Sequence, residues 1–299
     1  MTASTSTPAA SAASADVVAL AATFAAARIV DLTTPLSPAT PVVPVPPPFA
    51  PTAPLSFTPL SHFDEHGPGW SWSDLTLGEH AGTHVDAPRH WISGRDGKSV
   101  DQIEPERLVG PVAVLDLRAR AAADPCTLLG VDDLEAWEAE HGRFAPGTWL
   151  LVRTGWSERA DDPERFAGAE GWPGMTLAAA KRLAAHPSIS GYGVEAIGID
   201  SLGAGPSPDE AEGEGDPDPG AFGPGHYYLL GADKYGLTSL RNLDRLPATG
   251  AWIVVAPLPI VGGTAGPARV LAFVPGDADA GIAADADAAA GADAEEQGR

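Results

Sequence analysis

The sequence predicts an α/β fold, a mixed sheet curled into a barrel-like core and flanked by helices, on three observations. Short β-branched runs bounded by turn residues recur along the chain, two segments of helical periodicity fall between them, and the stretches 28–80 and 250–275 carry no helical signal. Strands alternating with helices give the α/β class, and the helix-free stretches make the sheet mixed rather than wholly parallel.

Residues 1–15 are Ala, Ser and Thr without a pattern, and 1–27 as a whole reads as a disordered or frayed tail leading into a helix. The Ala-rich stretch 19–27 lacks the basic flank of a signal peptide, because the first arginine, Arg28, follows it; a cytoplasmic location is expected. Residues 35–59 are Pro-rich, with too few N–H donors for a central strand, and are expected as an extended arm over the surface. Strands are predicted at 112–117 (VAVLDL), 149–153 (WLLVR), 193–199 (GVEAIGI), 252–256 (WIVVA) and 269–274 (RVLAFV). Helices are predicted at 131–141, where Val131, Leu134 and Trp137 recur at helical spacing, and at 176–186, where Thr176 can cap and Leu177, Ala180 and Leu183 follow. Residues 203–225, rich in Gly, Pro, Asp and Glu, read as a long acidic loop, and 277–299 as a disordered acidic tail lacking bulky apolar residues. One domain, 28–276, is therefore expected.

The formal net charge of −22 on 299 residues is concentrated. Six acids in 209–218 and seven acids with one arginine in 277–299 hold −12 of it, so the rest of the chain carries −10. A remainder that is still acidic argues against nucleic acid as a partner, since phosphate binding needs clustered Lys and Arg. No apolar run reaches the roughly 18 residues of a membrane span, so no membrane partner is expected. A single cysteine, Cys126, excludes an intramolecular disulfide and a cysteine-rich zinc site, leaving His and carboxylate as metal ligands.

The chemistry concentrates in 77–91, LGEHAGTHVDAPRHW, where His80, His84 and His90 account for three of the eight histidines and Asp86 supplies a carboxylate. Two imidazoles and a carboxylate are common ligands of a catalytic divalent ion, and three protein ligands leave a position open. Pro88 makes a continuous helix improbable, so the expected arrangement is a strand ending near His80, a tight turn at Gly82, and an extended stretch in which His84 and Asp86 point to one side. Taken alone, H-x3-H-x-D is short, and chance clustering of surface or core histidines remains the alternative.

Other candidates carry less. His62 and His66 form a second H-x3-H with Asp64 and Glu65 between them, but no further element supports them and a rim loop is expected. Trp70 and Trp72 fit either stacking on an aromatic substrate or a strand core. Asp200, at a strand end, fits a pocket residue less well than a cap or turn. Cys126 lacks a basic neighbour in sequence, and His141 and His186 fall at predicted helix C-termini, where the dipole accounts for them.

The run from His80 to His90, HAGTHVDAPRH, matches H-x-G-T-H-x-D-x-P-x-H at every fixed position and so resembles the cyclase family, which includes bacterial kynurenine formamidases and isatin hydrolase. DLTTPLSP at 31–38, GID at 198–200 and HYYLLGADKYGLTSLRNLDRLP at 226–247 are similar too, so the likeness runs from about residue 30 to 274 outside the acidic loop. The resemblance implies a swivelling β/β/α fold, a homodimer or homotetramer, His80, His84 and Asp86 as metal ligands, and His90 as the catalytic histidine. His226 matches a later histidine that binds metal in two-zinc kynurenine formamidases, but Thr238 stands where those carry Glu, and a hydroxyl brings no charge to offset a cation. One ion per chain is expected, Zn²⁺ or Mn²⁺, with His226 beside the pocket or as a weak ligand.

A divalent ion can lower the pKa of water to about 7 and so supply a hydroxide nucleophile, which here is expected to attack the amide, formamide or lactone carbonyl of a small molecule while His90 transfers the proton. The function implied is that of a kynurenine formamidase-like hydrolase, with isatin hydrolase- or lactonase-like ring opening as the alternative. Two rivals of other classes are a non-haem iron oxygenase, which uses the same donor set, and a non-catalytic metal-binding module, against which His90 argues.

Overall fold

The computed structural model describes residues 9–45, 47–160, 162–168, 171–203 and 218–276. Its strands are β1 (Arg28–Asp31), β2 (Ser56–His62), β3 (Ser71–Thr76), β4 (His84–Asp86), β5 (Val109–Asp116), β6 (Leu128–Leu129), β7 (Thr148–Arg153), β8 (Gly174–Met175), β9 (Ile189–Val194), β10 (Tyr235–Thr238), β11 (Trp252–Pro257) and β12 (Ala265–Val274). Its helices are α1 (Ala9–Ala26), α2 (Arg118–Ala123), α3 (Val131–His141), α4 (Pro163–Phe166) and α5 (Leu177–Ala185), with a π-turn over His226–Leu230.

Seven strands close on themselves in the order β12-β11-β5-β7-β9-β10-β4, with β4 returning to β12, and β1 pairs along the outer part of β12. The pairs β5–β7 and β7–β9 are parallel, their connections carrying α3 and α5, and β9–β10 is parallel too, whereas β11, β12 and β4 run antiparallel to their neighbours. β12 closes the sheet by changing partner along its length: Ala265–Pro267 face β4 and Ala268–Phe273 face β11.

The hydrophobic runs at β5 and β7 follow from burial on both faces. Val112, Val114, Trp149 and Leu151 fill the inside of the closed sheet, while the alternating Ala113, Leu115, Leu150 and Val152 pack beneath α3 and α5. α3 begins where the Asp133 carboxylate accepts the Gly130 backbone N–H at 2.8 Å, and it buries Leu134 and Trp137. α5 begins where the Thr176 hydroxyl accepts the Ala179 N–H at 3.1 Å, and it buries Leu177, Ala180 and Leu183, the face expected from the spacing.

Several expectations shift. The tail read over 1–27 is helical from Ala9 to Ala26, as the high helix propensity of alanine favours, and Phe24 meets Phe273 edge-on at 5.2 Å. The strand expected at 193–199 lies at Ile189–Val194, its first half hidden in the sequence by Gly191. No strand reaches His80: β3 ends at Thr76, and 77–83 turn. The Pro-rich arm is irregular until it enters β2, which pairs with β3 in a two-stranded ribbon. Of the acidic loop, 204–217 lie outside the described residues, as does the tail 277–299. Among the described residues no helix is long and apolar enough to cross a membrane.

Candidate metal centre

β4 carries two of the proposed ligands because of its alternation. Val85 turns into the closed sheet, so His84 and Asp86 project from the other face. Just before the strand, Gly82 adopts φ +59°, and a Cβ there would lie 2.5 Å from the Leu36 side chain, so the tight turn that brings His80 back to the same place needs glycine. Opposite Asp86 in the neighbouring strand is Gly236, where a Cβ would sit 2.9 Å from Asp86 Oδ2. Gly236 thus leaves room for the Asp86 side chain.

His80 Nδ1 lies 2.9 Å and His84 Nε2 3.2 Å from Asp86 Oδ1, and the two nitrogens are 3.3 Å apart. Among the described residues these form the one group of three His, Cys, Asp or Glu whose ligand atoms all lie within 4.8 Å of one another. Their other ring nitrogens are already engaged. His84 Nδ1–H donates to the Gly82 carbonyl at 2.8 Å, which leaves a lone pair at Nε2. Thr264 gives its hydroxyl proton to Glu79 Oε2 at 2.6 Å, so at 3.2 Å it accepts from His80 Nε2–H and leaves a lone pair at Nδ1. Two imidazole lone pairs and a buried carboxylate oxygen therefore converge with no donor among them, and Asp86 Oδ1 has no hydrogen-bond partner. This donor set fits a divalent cation, with Gly82, Thr264 and Glu79 as the outer partners that orient the ligands. Where no ion is bound, burial pushes the Asp86 carboxyl up, but positive charge and a donated proton from the adjoining His84 and His80 outweigh it and hold the group well below the usual carboxylate range.

His90 stands beside the triad, its ring 4.1 Å from that of His80. Burial drives its pKa down to about 3, Asp86 opposing and the neighbouring imidazoles adding to the fall. The dry surroundings penalise the imidazolium form there. His226 closes the far side, stacked on Trp91 at 4.6 Å and edge-on to His90 at 5.4 Å. Its Nδ1 bonds Asp200 Oδ2 at 2.6 Å, and its Nε2 faces Asp86 Oδ2 at 3.9 Å. Burial lowers its pKa, but the Asp200 bond and charge, with Asp86 behind, raise it overall. Thr238 lies opposite His84 in the β4–β10 register, its hydroxyl 3.0 Å from His84 Nδ1.

The remaining candidates fall elsewhere. His62 and His66 sit at the end of the β2–β3 ribbon, where Asp64 accepts both of their backbone N–H groups and so holds a turn. Trp70 and Trp72, half exposed on the same ribbon, pack on each other at 6.2 Å and belong to no core. Burial pushes the Cys126 thiol up, away from nucleophile chemistry. Asp200 caps the turn at Gly225 and His226 as expected, and it also bonds the His226 ring. Trp91, Thr264 and Glu79 were not read from sequence. Trp91 and Glu79 had only adjacency to His90 and His80 as a signal, and Thr264, some 184 residues from His80, had none.

The chain is 41% identical over 222 residues to an isatin hydrolase of Roseibium aggregatum, covering 72% of this chain and 80% of that protein. It is 28% identical over 198 residues to a kynurenine formamidase of Geobacillus thermodenitrificans, covering 65% and 76%. A crystal structure of an isatin hydrolase bound to the product analogue thioisatinate superposes with a TM-score of 0.78 at 40% identity, covering 90% of this chain and all of that one. Since the Cyclase family model also matches residues 30–201, which hold the whole triad and its flanking histidine, the chain belongs to the Cyclase family.

Proposed function

We propose that this protein is a metal-dependent hydrolase that opens or cleaves a small-molecule amide-type carbonyl, a cyclic amide such as isatin being the first substrate to test. The observation that carries the reading is the convergence of His80 Nδ1, His84 Nε2 and Asp86 Oδ1 with every other ring donor turned away. The isatin type stands ahead of N-formylkynurenine because identity is 41% to an isatin hydrolase and 28% to a kynurenine formamidase, and because Thr238 occupies the position read as Glu in two-zinc kynurenine formamidases. Lactones share the electrophile and remain in the screen.

His80, His84 and Asp86 would hold one ion, Zn²⁺ or Mn²⁺. When bound, such an ion polarises a carbonyl oxygen and lowers the pKa of water. His90, its ring 4.1 Å from that of His80, would take a proton from an attacking water and return it to the departing nitrogen or oxygen. Asp86 counters the imidazolium that forms, since its charge favours protonated His90. Trp91, stacked on His226, gives the site a flat wall suited to a planar substrate.

A homodimer or homotetramer in the cytoplasm completes the proposal. The β2–β3 ribbon exposes Phe57, Leu60, Phe63, Trp70, Trp72 and Leu75, and a two-stranded ribbon is marginal unless something packs on it. Light scattering on the purified protein tests the assembly.

The function is tested by elemental analysis and an anaerobic hydrolysis screen with isatin, N-formylkynurenine and simple lactones. About one divalent ion per chain is expected, with turnover lost to chelator, restored by Zn²⁺ or Mn²⁺ and indifferent to O₂. Activity that survives verified metal removal, or that needs O₂, defeats the proposal.

A further inference from the structure

We propose that Asp200 is a positioning residue of this site, holding the His226 ring so that Nε2 faces the Asp86 carboxylate and the substrate space before it. The kinetic part of the inference rests on the hydrolase reading; the structural part does not.

Three donors use both oxygens of the Asp200 carboxylate. Oδ1 accepts Gly225 N–H at 2.6 Å, while Oδ2 accepts His226 N–H at 3.0 Å and the ring Nδ1–H at 2.6 Å. The Asp200 side chain is only 10% exposed, and its own backbone carbonyl is tied by the Trp172 indole N–H at 2.6 Å. Capping the turn needs only the two backbone bonds, and neither of them requires a bond to the ring. The third bond, to the ring, is what a cap leaves unexplained.

That bond decides which nitrogen meets the site. With Nδ1–H directed at Asp200, Trp91 against the ring face and His90 at its edge, the imidazole has no other orientation that keeps its partners. Nε2 is then left 3.9 Å from Asp86 Oδ2, too far for a hydrogen bond between them and a separation that a third polar atom could bridge. The carbonyl end of a substrate is such an atom. Oriented imidazoles of this kind depend on the carboxylate behind them for tautomer as well as direction.

An amide cannot replace the carboxylate. Asn has one acceptor oxygen, so whichever way it turns its NH₂ faces either Gly225 N–H or the His226 ring. Asp200→Asn is therefore expected to keep the metal at about one ion per chain while the His226 tautomer changes. Nitrogen NMR on ¹⁵N-histidine-labelled protein loaded with Zn²⁺ reads that tautomer directly. Nδ1-protonated in the wild type and altered in Asp200→Asn is the expected result. With the substrate the screen identifies, kcat should fall about 10- to 100-fold, the range for outer partners of a site, with KM changed far less. His226→Gln should cost a similar factor, and the double variant no more than either single one. An Nδ1-protonated ring that persists in Asp200→Asn, or losses that multiply in the double variant, reduces Asp200 to a cap and overturns the proposal. If no substrate is turned over by the wild type, the hydrolase reading fails while the NMR result still decides the role of Asp200.

Discussion

Asp86 and Glu195 are both buried carboxylates, 1% and 2% exposed, and both stand at or just past the end of a strand of the closed sheet. Their surroundings differ completely. Glu195 accepts the backbone N–H groups of Thr154 and Gly155 at 2.6 Å each, the Ser157 hydroxyl at 2.6 Å and the Thr154 hydroxyl at 3.2 Å, so it ties the exit of β7 to that of β9. Asp86 Oδ1 meets two imidazole nitrogens whose protons point away. One carboxylate is satisfied by the fold; the other faces imidazole lone pairs, a donor set that a divalent cation would satisfy. Burial of a charge therefore marks a functional site only when the local donors are counted.

The comparison can be broken most directly at Asp86. Asp86→Asn removes the charge from the cluster and should abolish metal binding, with turnover falling by more than about 100-fold, beyond the loss typical of outer partners. Metal content by elemental analysis and single-turnover assays check this; an Asn variant that retains its ion would show that the carboxylate is not a ligand.

Glu195→Ala should leave metal content unchanged but orphan several buried donors, lowering unfolding free energy by about 3 kcal/mol in denaturant titrations. Its pH dependence has a definite sign. Burial is the largest influence on Glu195 and, against its hydrogen bonds, raises its pKa above 4.5, so the stability it contributes is present below 4.5 and is lost as pH rises through the folded pKa. The variant's deficit should accordingly be largest below pH 4.5 and shrink above it. Asp86, depressed below 3.8, behaves oppositely in metal-free protein: its contribution is present above 3.8 and disappears as pH falls through the folded pKa. Parallel slopes for the two groups would sink the distinction.

A smaller effect is expected one shell out. Thr264→Val removes the hydroxyl that sets the His80 tautomer and should weaken metal binding about 10-fold in chelator competition, with Thr264→Ser close to wild type. The smallest is at the second H-x3-H. His66→Ala lies on the exposed ribbon and should change neither metal content nor stability beyond about 0.5 kcal/mol by thermal unfolding.

How far the sequence reaches can be judged residue by residue. The bounds of α3 and the Thr176 cap of α5 were legible because both depend on groups within four residues. The triad was legible for the same reason: His84 and Asp86 alternate on one short strand, and Gly82 alone supplies the reverse turn to His80. β10 was not, since Tyr235–Thr238 is four residues long and carries a glycine where Asp86 must fit. The strand expected near His80 was wrong because the turn starts earlier, at the end of β3.

By itself, then, the sequence determined the α/β class and singled out His80, His84 and Asp86 as candidate ligands with His90 beside them, all four within eleven residues. Only the tertiary structure decided that the sheet closes through β12 and β4, that Thr264 reaches His80, and that Asp200 and His226 meet across the site. Those contacts join residues 26 to 184 positions apart, and no local preference encodes them. They exist because closing the sheet fixes where distant strands and the segments after them emerge, and side chains brought together there satisfy one another's polar groups.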